Sequence, residues 1–110
     1  MNLGTVYALE IDFLDFNTVY ISGNGGVYKS IDGGNTWNIV GDVNFTSLSH
    51  SVKDIKLNPS DNNILFVATD EGLFKSTNAG NSFNTIMTGN FLEIEFHPNS
   101  SDTMYFVKQA

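Results

Sequence analysis

The sequence predicts an all-β chain made of β-propeller blades, each a four-stranded antiparallel sheet, and three observations carry that expectation. The chain repeats itself: "NTVYISGNGGVYKSIDGGNTWN" at 17–38 lies without a gap over "NILFVATDEGLFKSTNAGNSFN" at 63–84, an offset of 46. "VYALEID" at 6–12 lies over "VKDIKLN" at 52–58 and over "FLEIEFH" at 91–97, the second offset being 39. "DTMYFV" at 102–107 matches the "NILFVA" position a third time. A period of about 40–50 residues belongs to propellers, solenoids or arrays. Each repeat also holds four short strand signals separated by turn residues, with no helical period anywhere. Finally, nine Phe, four Tyr and one Trp in 110 residues give a rich aromatic supply for a sheet-based core.

The elements follow in order. The first strand of each repeat alternates: Tyr7, Leu9 and Ile11, then Lys53, Ile55 and Leu57, then Leu92, Ile94 and Phe96 share one face. Ala8 and Glu10, Asp54 and Lys56, Glu93 and Glu95 share the other. Period two means strand. The second strand, Val19-Tyr20-Ile21 or Ile64-Leu65-Phe66-Val67, is continuously apolar, as a strand covered on both faces should be. A turn with Gly25-Gly26 or Glu71-Gly72 leads to the third, "VYKS" or "LFKS", and a Gly-rich cluster turns into the fourth, "TWNIV" or "SFNTI". Strands are therefore predicted near 6–11, 18–22, 26–30, 36–40, 52–57, 64–69, 73–76, 83–86, 91–96 and 103–107. Four-stranded units of this length are propeller blades. The first spans about 6–41, the second about 52–88, and a third begins at about 91–110. Two complete blades and half of a third make a partial propeller, to be completed by further blades of a parent chain or by self-association.

Charge and composition exclude several classes. A net charge of −7, with five lysines and no arginine, argues against nucleic acid, which needs clustered cations. The absence of cysteine excludes a disulfide framework and thiolate metal sites. No apolar run has the length of a membrane span, so membrane insertion is not expected. The N-terminus carries neither a basic start nor an apolar signal segment.

The cluster "KSIDGGNTW" (29–37) concentrates a Ser, an Asp, two glycines, a Thr and the only Trp of the chain. Such a set fits either a carboxylate site or a tight turn. The turn reading accounts for every residue. Asp32 accepts bonds from N–H groups of its own loop, Ser and Thr hydroxyls do likewise, and Gly33 and Gly34 supply positive φ. Trp37 is expected to be largely buried against its hairpin. The second copy, Ser76, Asn78, Gly80, Ser82 and Phe83, keeps polarity and volume but loses the carboxylate. An Asx turn survives Asp to Asn; a catalytic acid does not.

Ser30-x-Asp32-x-Gly34-x-Thr36-Trp37 resembles the Asp-box, or bacterial neuraminidase repeat, residue for residue, and the resemblance covers nearly the whole chain. Propellers of this kind occur in sialidases, sortilin-type receptors, xyloglucan-cleaving hydrolases, photosystem II assembly factors and bacterial surface proteins. The resemblance implies a secreted or cell-surface protein whose ligands meet the end opposite the Asp-boxes. Strand direction puts the second–third turns and the inter-blade links on that end. Its binding candidates are Asn24 and Asp70 in equivalent turns, and Asp42 and His50 in the long link 41–51. Selective recognition needs a surface that differs between blades, and there the blades differ.

A sialidase site is excluded for this segment, because such sites hold their substrate carboxylate with arginines. Xyloglucan-cleaving hydrolases carry one of two acids in a "TD-x-GG" turn, and Thr69-Asp70-Glu71-Gly72 looks similar. Ala68 stands where an arginine is usual, and Leu73 replaces the second glycine. Inverting hydrolysis also needs a second carboxylate across the cleft. The expectation is thus a non-catalytic interaction module that binds protein or glycan, with no cofactor, no metal and no catalytic residue in this segment. The alternative is a fragment of a xyloglucan-type glycoside hydrolase with Asp70 as one acid.

Overall fold

The computed structural model describes residues 6, 8–23, 26–41 and 51–109, and every regular element among them is a β-strand. Strands β1 (Leu9–Ile11), β2 (Val19–Gly23), β3 (Gly26–Ser30) and β4 (Asn38–Ile39) form one antiparallel sheet in chain order. Strands β5 (Val52–Asn58), β6 (Asp61–Thr69), β7 (Gly72–Ser76) and β8 (Asn84–Thr88) form a second with the same order, and β9 (Phe91–His97) pairs with β10 (Ser100–Lys108) in a third. Ten predicted strands correspond to ten observed ones. β6 and β10 start about three residues early, because the hairpins before them are tight. In the first of these, Asn58 Oδ1 accepts from the amides of Ser60 and Asp61, so pairing resumes at once.

The predicted alternation needs one correction. It places Lys53 and Leu92 on the face of Ile55 and Ile94, yet Val52 and Phe91 are the buried residues there. The register explains why. Val52 pairs with Thr69 but Asp54 with Ala68, and Phe91 pairs with Lys108 but Glu93 with Val107. Lys53 and Leu92 are extra residues in β-bulges, and a bulge reverses the alternation beyond it. Pattern counting cannot see a bulge. Tyr7, assigned to the same face in the first blade, lies outside the described residues.

The cores lie between sheets. Val52, Ile55, Leu57, Leu65, Val67, Phe74 and Phe83 of the second blade cluster with Ala8, Tyr20 and Val27 of the first. Phe91 and Ile94 of the third cluster with Ala68 and Leu73 of the second, with Phe66 and Met104 packed alongside. Each Val, Leu, Ile or Phe among them contributes about 1.5–3 kcal/mol on full burial. Every blade thus has a leading face toward the preceding blade and a trailing face toward the next. β6 supplies both, with Leu65 and Val67 on one and Phe66 and Ala68 on the other, as its continuous apolar run predicts.

Polar latches join the same faces. Glu10 Oε2 accepts from the Leu57 amide (2.9 Å), and Asp54 Oδ2 accepts from the Ile94 amide (2.8 Å). Burial pushes the Glu10 carboxyl up, against the opposing pull of that amide and of Lys56. The buried Asp12 accepts from Asn62 Nδ2 (2.9 Å), while Asn58, at the corresponding place one blade on, donates to the Ser101 carbonyl (3.1 Å).

Candidate functional site

Strand direction gives the blades two ends, and the hydrogen bonds separate them as the topology predicts. At one end lie the two polar turns. Ser30 Oγ accepts from the amides of Asp32 (3.3 Å) and Gly34 (2.8 Å) and donates to Asp32 Oδ1 (2.8 Å). Asp32 also accepts from the Thr36 amide (2.9 Å) and the Thr36 hydroxyl (2.5 Å). The hydroxyl of Thr36, then its amide, then the Ser30 hydroxyl hold the Asp32 carboxyl down, from 3.8 to about 2. Both oxygens thus have partners within the loop, and the group stays ionised. A general acid needs the opposite: a carboxyl that keeps its proton near neutral pH. Gly33 and Gly34 have φ of 71° and 95°. In place and in bonding, Ser30, Asp32, Gly34 and Thr36 build a turn.

Trp37 departs from expectation. Its Nε1 donates to the Gly34 carbonyl (3.0 Å), so it covers the hairpin, but it is only half-buried, whereas Phe83 at the corresponding place is buried. Phe83 lies between two blades; Trp37 lies on the leading face of the first, which no blade of this chain covers.

The opposite end carries the candidate ligand residues. Asn24, Asp42 and His50 lie outside the described residues. Asp70 is exposed at the tip of the β6–β7 turn. Its Oδ1 accepts from the Ser51 amide (3.0 Å) and its own amide donates to the Ser51 carbonyl (3.2 Å), which ties the turn to the start of β5. Below it, the buried Thr69 hydroxyl donates to the Gly72 carbonyl and accepts from the amides of Glu71 and Gly72. A Cβ at Gly72 would stand 2.9 Å from the Met87 carbonyl, so only glycine fits there.

Sequence reasoning missed three neighbours at this end, Lys53, Asn90 and Gln109, and named Glu71 only as part of the turn. The Glu71 carbonyl accepts from the Gly89 amide (3.2 Å), and Lys53 Nζ donates to Asn90 Oδ1 (3.1 Å). Asn90 Nδ2 donates to Gln109 Oε1 (2.5 Å), and the Gln109 amide to the Asn90 carbonyl (2.8 Å). All four flank strand ends that topology sends to the same side, which is the signal that could have found them. With Asp70 they make a rim of two carboxylates, two carboxamides and the Lys53 ammonium, with Lys108 beside Gly89, a set suited to hydroxyl-rich ligands. Among the described residues, no three His, Asp or Glu gather to hold a metal ion.

The larger cavities lie elsewhere, in grooves between blades. One of about 250 Å³ is lined by Lys29, Ile39, Gly80 and Asn81 among others, and one of about 410 Å³ by Asn58, Phe66, Lys75 and Asp102 among others. Their linings share one repeat position, Lys29 in the first and Lys75 in the second. Lys29 Nζ sits over the Tyr20 ring (5.2 Å) and donates to the Ala79 carbonyl of the next blade's turn (3.1 Å). Lys75 Nζ sits over the Phe66 ring in the same way (5.5 Å). Burial pushes Lys29 down, with Asp12 and Asp15 opposing.

Fold and register define the class: the chain is two complete β-propeller blades and the first half of a third. No family model matches the sequence, and neither does any curated protein. Solved structures do. An ancestral GH74 enzyme superposes with a TM-score of 0.84 at 29% identity over 96% of this chain. The GH74 enzyme of Niastella koreensis gives 0.65 at 27% over 86%, and YCF48 from Cyanidioschyzon merolae gives 0.66 at 19% over 84%. The chain spans only 14%, 17% and 31% of those three chains, respectively.

Proposed function

We propose that this chain supplies blades of a glycan-binding propeller of glycoside hydrolase type, secreted or at the cell surface, with polysaccharide meeting the Asp70 end. The observation that carries the reading is the superposition on the ancestral GH74 enzyme over nearly the whole chain. The rim of Asp70, Glu71, Lys53, Asn90 and Gln109 supports it, since these groups can hydrogen-bond sugar hydroxyls. The bonding of the polar turns at the other end, whose side chains are engaged within the loop, supports the Asp-box reading. A titration of the isotopically labelled chain with xyloglucan oligosaccharide tests this by NMR. Shifts are expected at Ser51, Lys53, Asp70, Glu71, Asn90 and Gln109. Shifts confined to the 30–37 and 76–83 hairpins, or none at all, would overturn it.

One observation favours a second reading, a non-catalytic module that binds protein or glycan. Asp70 Oδ1 is already engaged by the Ser51 amide, which gives the carboxylate a structural task. Asp70→Asn keeps an acceptor for that amide and separates the readings. A hydrolase loses turnover of xyloglucan with its melting temperature retained; a binder keeps its affinity. In the binder, shortening the 41–51 link weakens binding more than the Asp70 change does.

A further inference from the structure

The β9–β10 turn carries a pattern that neither the fold nor the rim uses. Residues 97–102 read "HPNSSD", which contains Asn99-Ser100-Ser101. Asparagine, then any residue but proline, then serine or threonine is the acceptor pattern of N-linked glycosylation, a modification of surface loops. The chain holds one other, Asn44-Phe45-Thr46, outside the described residues. So short a pattern also arises by chance, and what singles out Asn99 is its surroundings.

The turn is stapled without the Asn99 side chain. In each blade the residue at the mouth of this turn accepts from the amide two positions on. Asp12 Oδ1 accepts from Leu14 (2.9 Å), Asn58 Oδ1 from Ser60 (2.8 Å) and His97 Nδ1 from Asn99 (3.1 Å). An imidazole fills the place that a carboxylate and a carboxamide fill elsewhere, and Asn99 takes part through its backbone alone. Among the described residues its carboxamide makes no hydrogen bond. Asp15, Asp32, Asp61 and Asn78 by contrast spend their side chains on amides of their own loops. The Asn99 Nδ2 is therefore available to react.

Its exposure does not depend on where the chain stops. Asn99 lies exposed at the tip of the turn, and so does Ser60 at the same place in the second blade, which blades of this chain flank on both sides. Leu14, at that place in the first blade, is 61% exposed. The second blade supplies a contrast. Asn58-Pro59-Ser60 has the spacing but carries the blocking proline, and its carboxamide is occupied at both atoms. Asn58 Oδ1 accepts from the amides of Ser60 and Asp61, and Nδ2 donates to the Ser101 carbonyl.

We propose that Asn99 is an N-glycosylation site. The donor is a lipid-linked glycosyl pyrophosphate of the export route. A bond forms between Asn99 Nδ2 and the anomeric carbon of the sugar, and the bond from that carbon to the phosphate oxygen breaks. The lipid pyrophosphate leaves with the bonding pair, and one Nδ2 proton is released. Ser101 supplies the hydroxyl that completes the pattern. The inference rests on the export half of the reading proposed above and not on the glycan-binding half. Topology sets the turn at the end opposite Asp70, so the attached sugar leaves the rim open.

Protein purified from its own organism tests this by mass spectrometry of intact glycopeptides. Cleavage after lysine releases residues 76–108 as one peptide whose acceptor pattern is that of Asn99, apart from 30–53, which holds that of Asn44. Whole-sugar mass additions located on Asn99 by electron-transfer fragmentation are expected. Asn99→Gln and Ser101→Ala, made in the same organism, should each abolish them, whereas Ser100→Ala should keep them. Exported protein with Asn99 bare overturns the proposal and leaves the export reading standing; protein confined to the cytoplasm overturns both. Sugars located on Ser100 or Ser101, or an aspartate at 99 from deamidation of the exposed carboxamide, also overturn it.

Discussion

The turn at 30–37 and the turn at 76–83 are the same construction made with different chemistry. In both, a serine hydroxyl accepts two loop amides and donates to the side chain two residues on. In both, that side chain accepts from the amide four residues further along: Thr36 to Asp32 at 2.9 Å, Ser82 to Asn78 at 3.0 Å. The Gly33 and Ala79 amides donate to the corresponding carbonyls of Asn17 and Asn63, each at 2.9 Å. One bond changes direction. The Thr36 hydroxyl donates to Asp32, whereas Asn78 Nδ2 donates to the Ser82 hydroxyl (2.8 Å). A hydroxyl rotates to suit either partner. The charge is therefore incidental to the shape, and the turn is a staple.

The largest expected difference between the two regions is in packing. Phe83→Ala removes an aromatic ring from between two blades and should cost about 3–5 kcal/mol in urea unfolding. Trp37→Ala, on a face that this chain leaves open, should cost about 1 kcal/mol, since transfer scales with the area buried. Equal costs would show that Trp37 is buried by something more than its own hairpin. Backbone strain comes next. Ala79 has φ of 59° where the first turn has Gly33 at 71°. A left-handed alanine costs roughly 1–2 kcal/mol, partly offset by the greater freedom of an unfolded glycine. Gly33→Ala should therefore destabilise by about 1 kcal/mol, and Ala79→Gly should stabilise by somewhat less, both read from urea midpoints.

The fold was legible because its signals are local. The offset of 46 aligned Ser30 with Ser76 and Asp32 with Asn78 before any geometry was known, and alternation found β5 and β9. The bulges at Lys53 and Leu92 were not legible, because an extra residue changes the register without changing composition. Trp37 was misjudged because burial depends on which blade lies opposite, a property of the assembly and not of the hairpin. The latches from Glu10, Asp54 and Lys29 likewise join different blades and leave no pattern within one repeat. At the candidate site, topology placed Asp70 on the end opposite the 30–37 and 76–83 turns, while its bond to Ser51 required coordinates.

Acid response should separate the turns more weakly. The Asp32 carboxyl titrates at about 2 in the folded chain against 3.8 ordinarily. A folded value below the unfolded one means stability that is present above about pH 4 and lost as pH falls through about 2. The wild-type urea midpoint should drop across that window more than that of Asp32→Asn. Identical slopes would remove Asp32 from the acid response. The difference should be small, because the group is fully exposed and solvent screens it.

The most direct test of the staple is to exchange the two side chains, making Asp32→Asn and Asn78→Asp in one chain. Its melting temperature at neutral pH is then compared with the wild type, with and without calcium. Five pairs of equivalent bonds predict that the exchanged chain melts within about 2–4 °C of the wild type, the shift expected of a change well below 1 kcal/mol. Calcium should leave both unchanged. A calcium-dependent rise in the wild type that the exchange abolishes would show that the turn at 30–37 is an ion site.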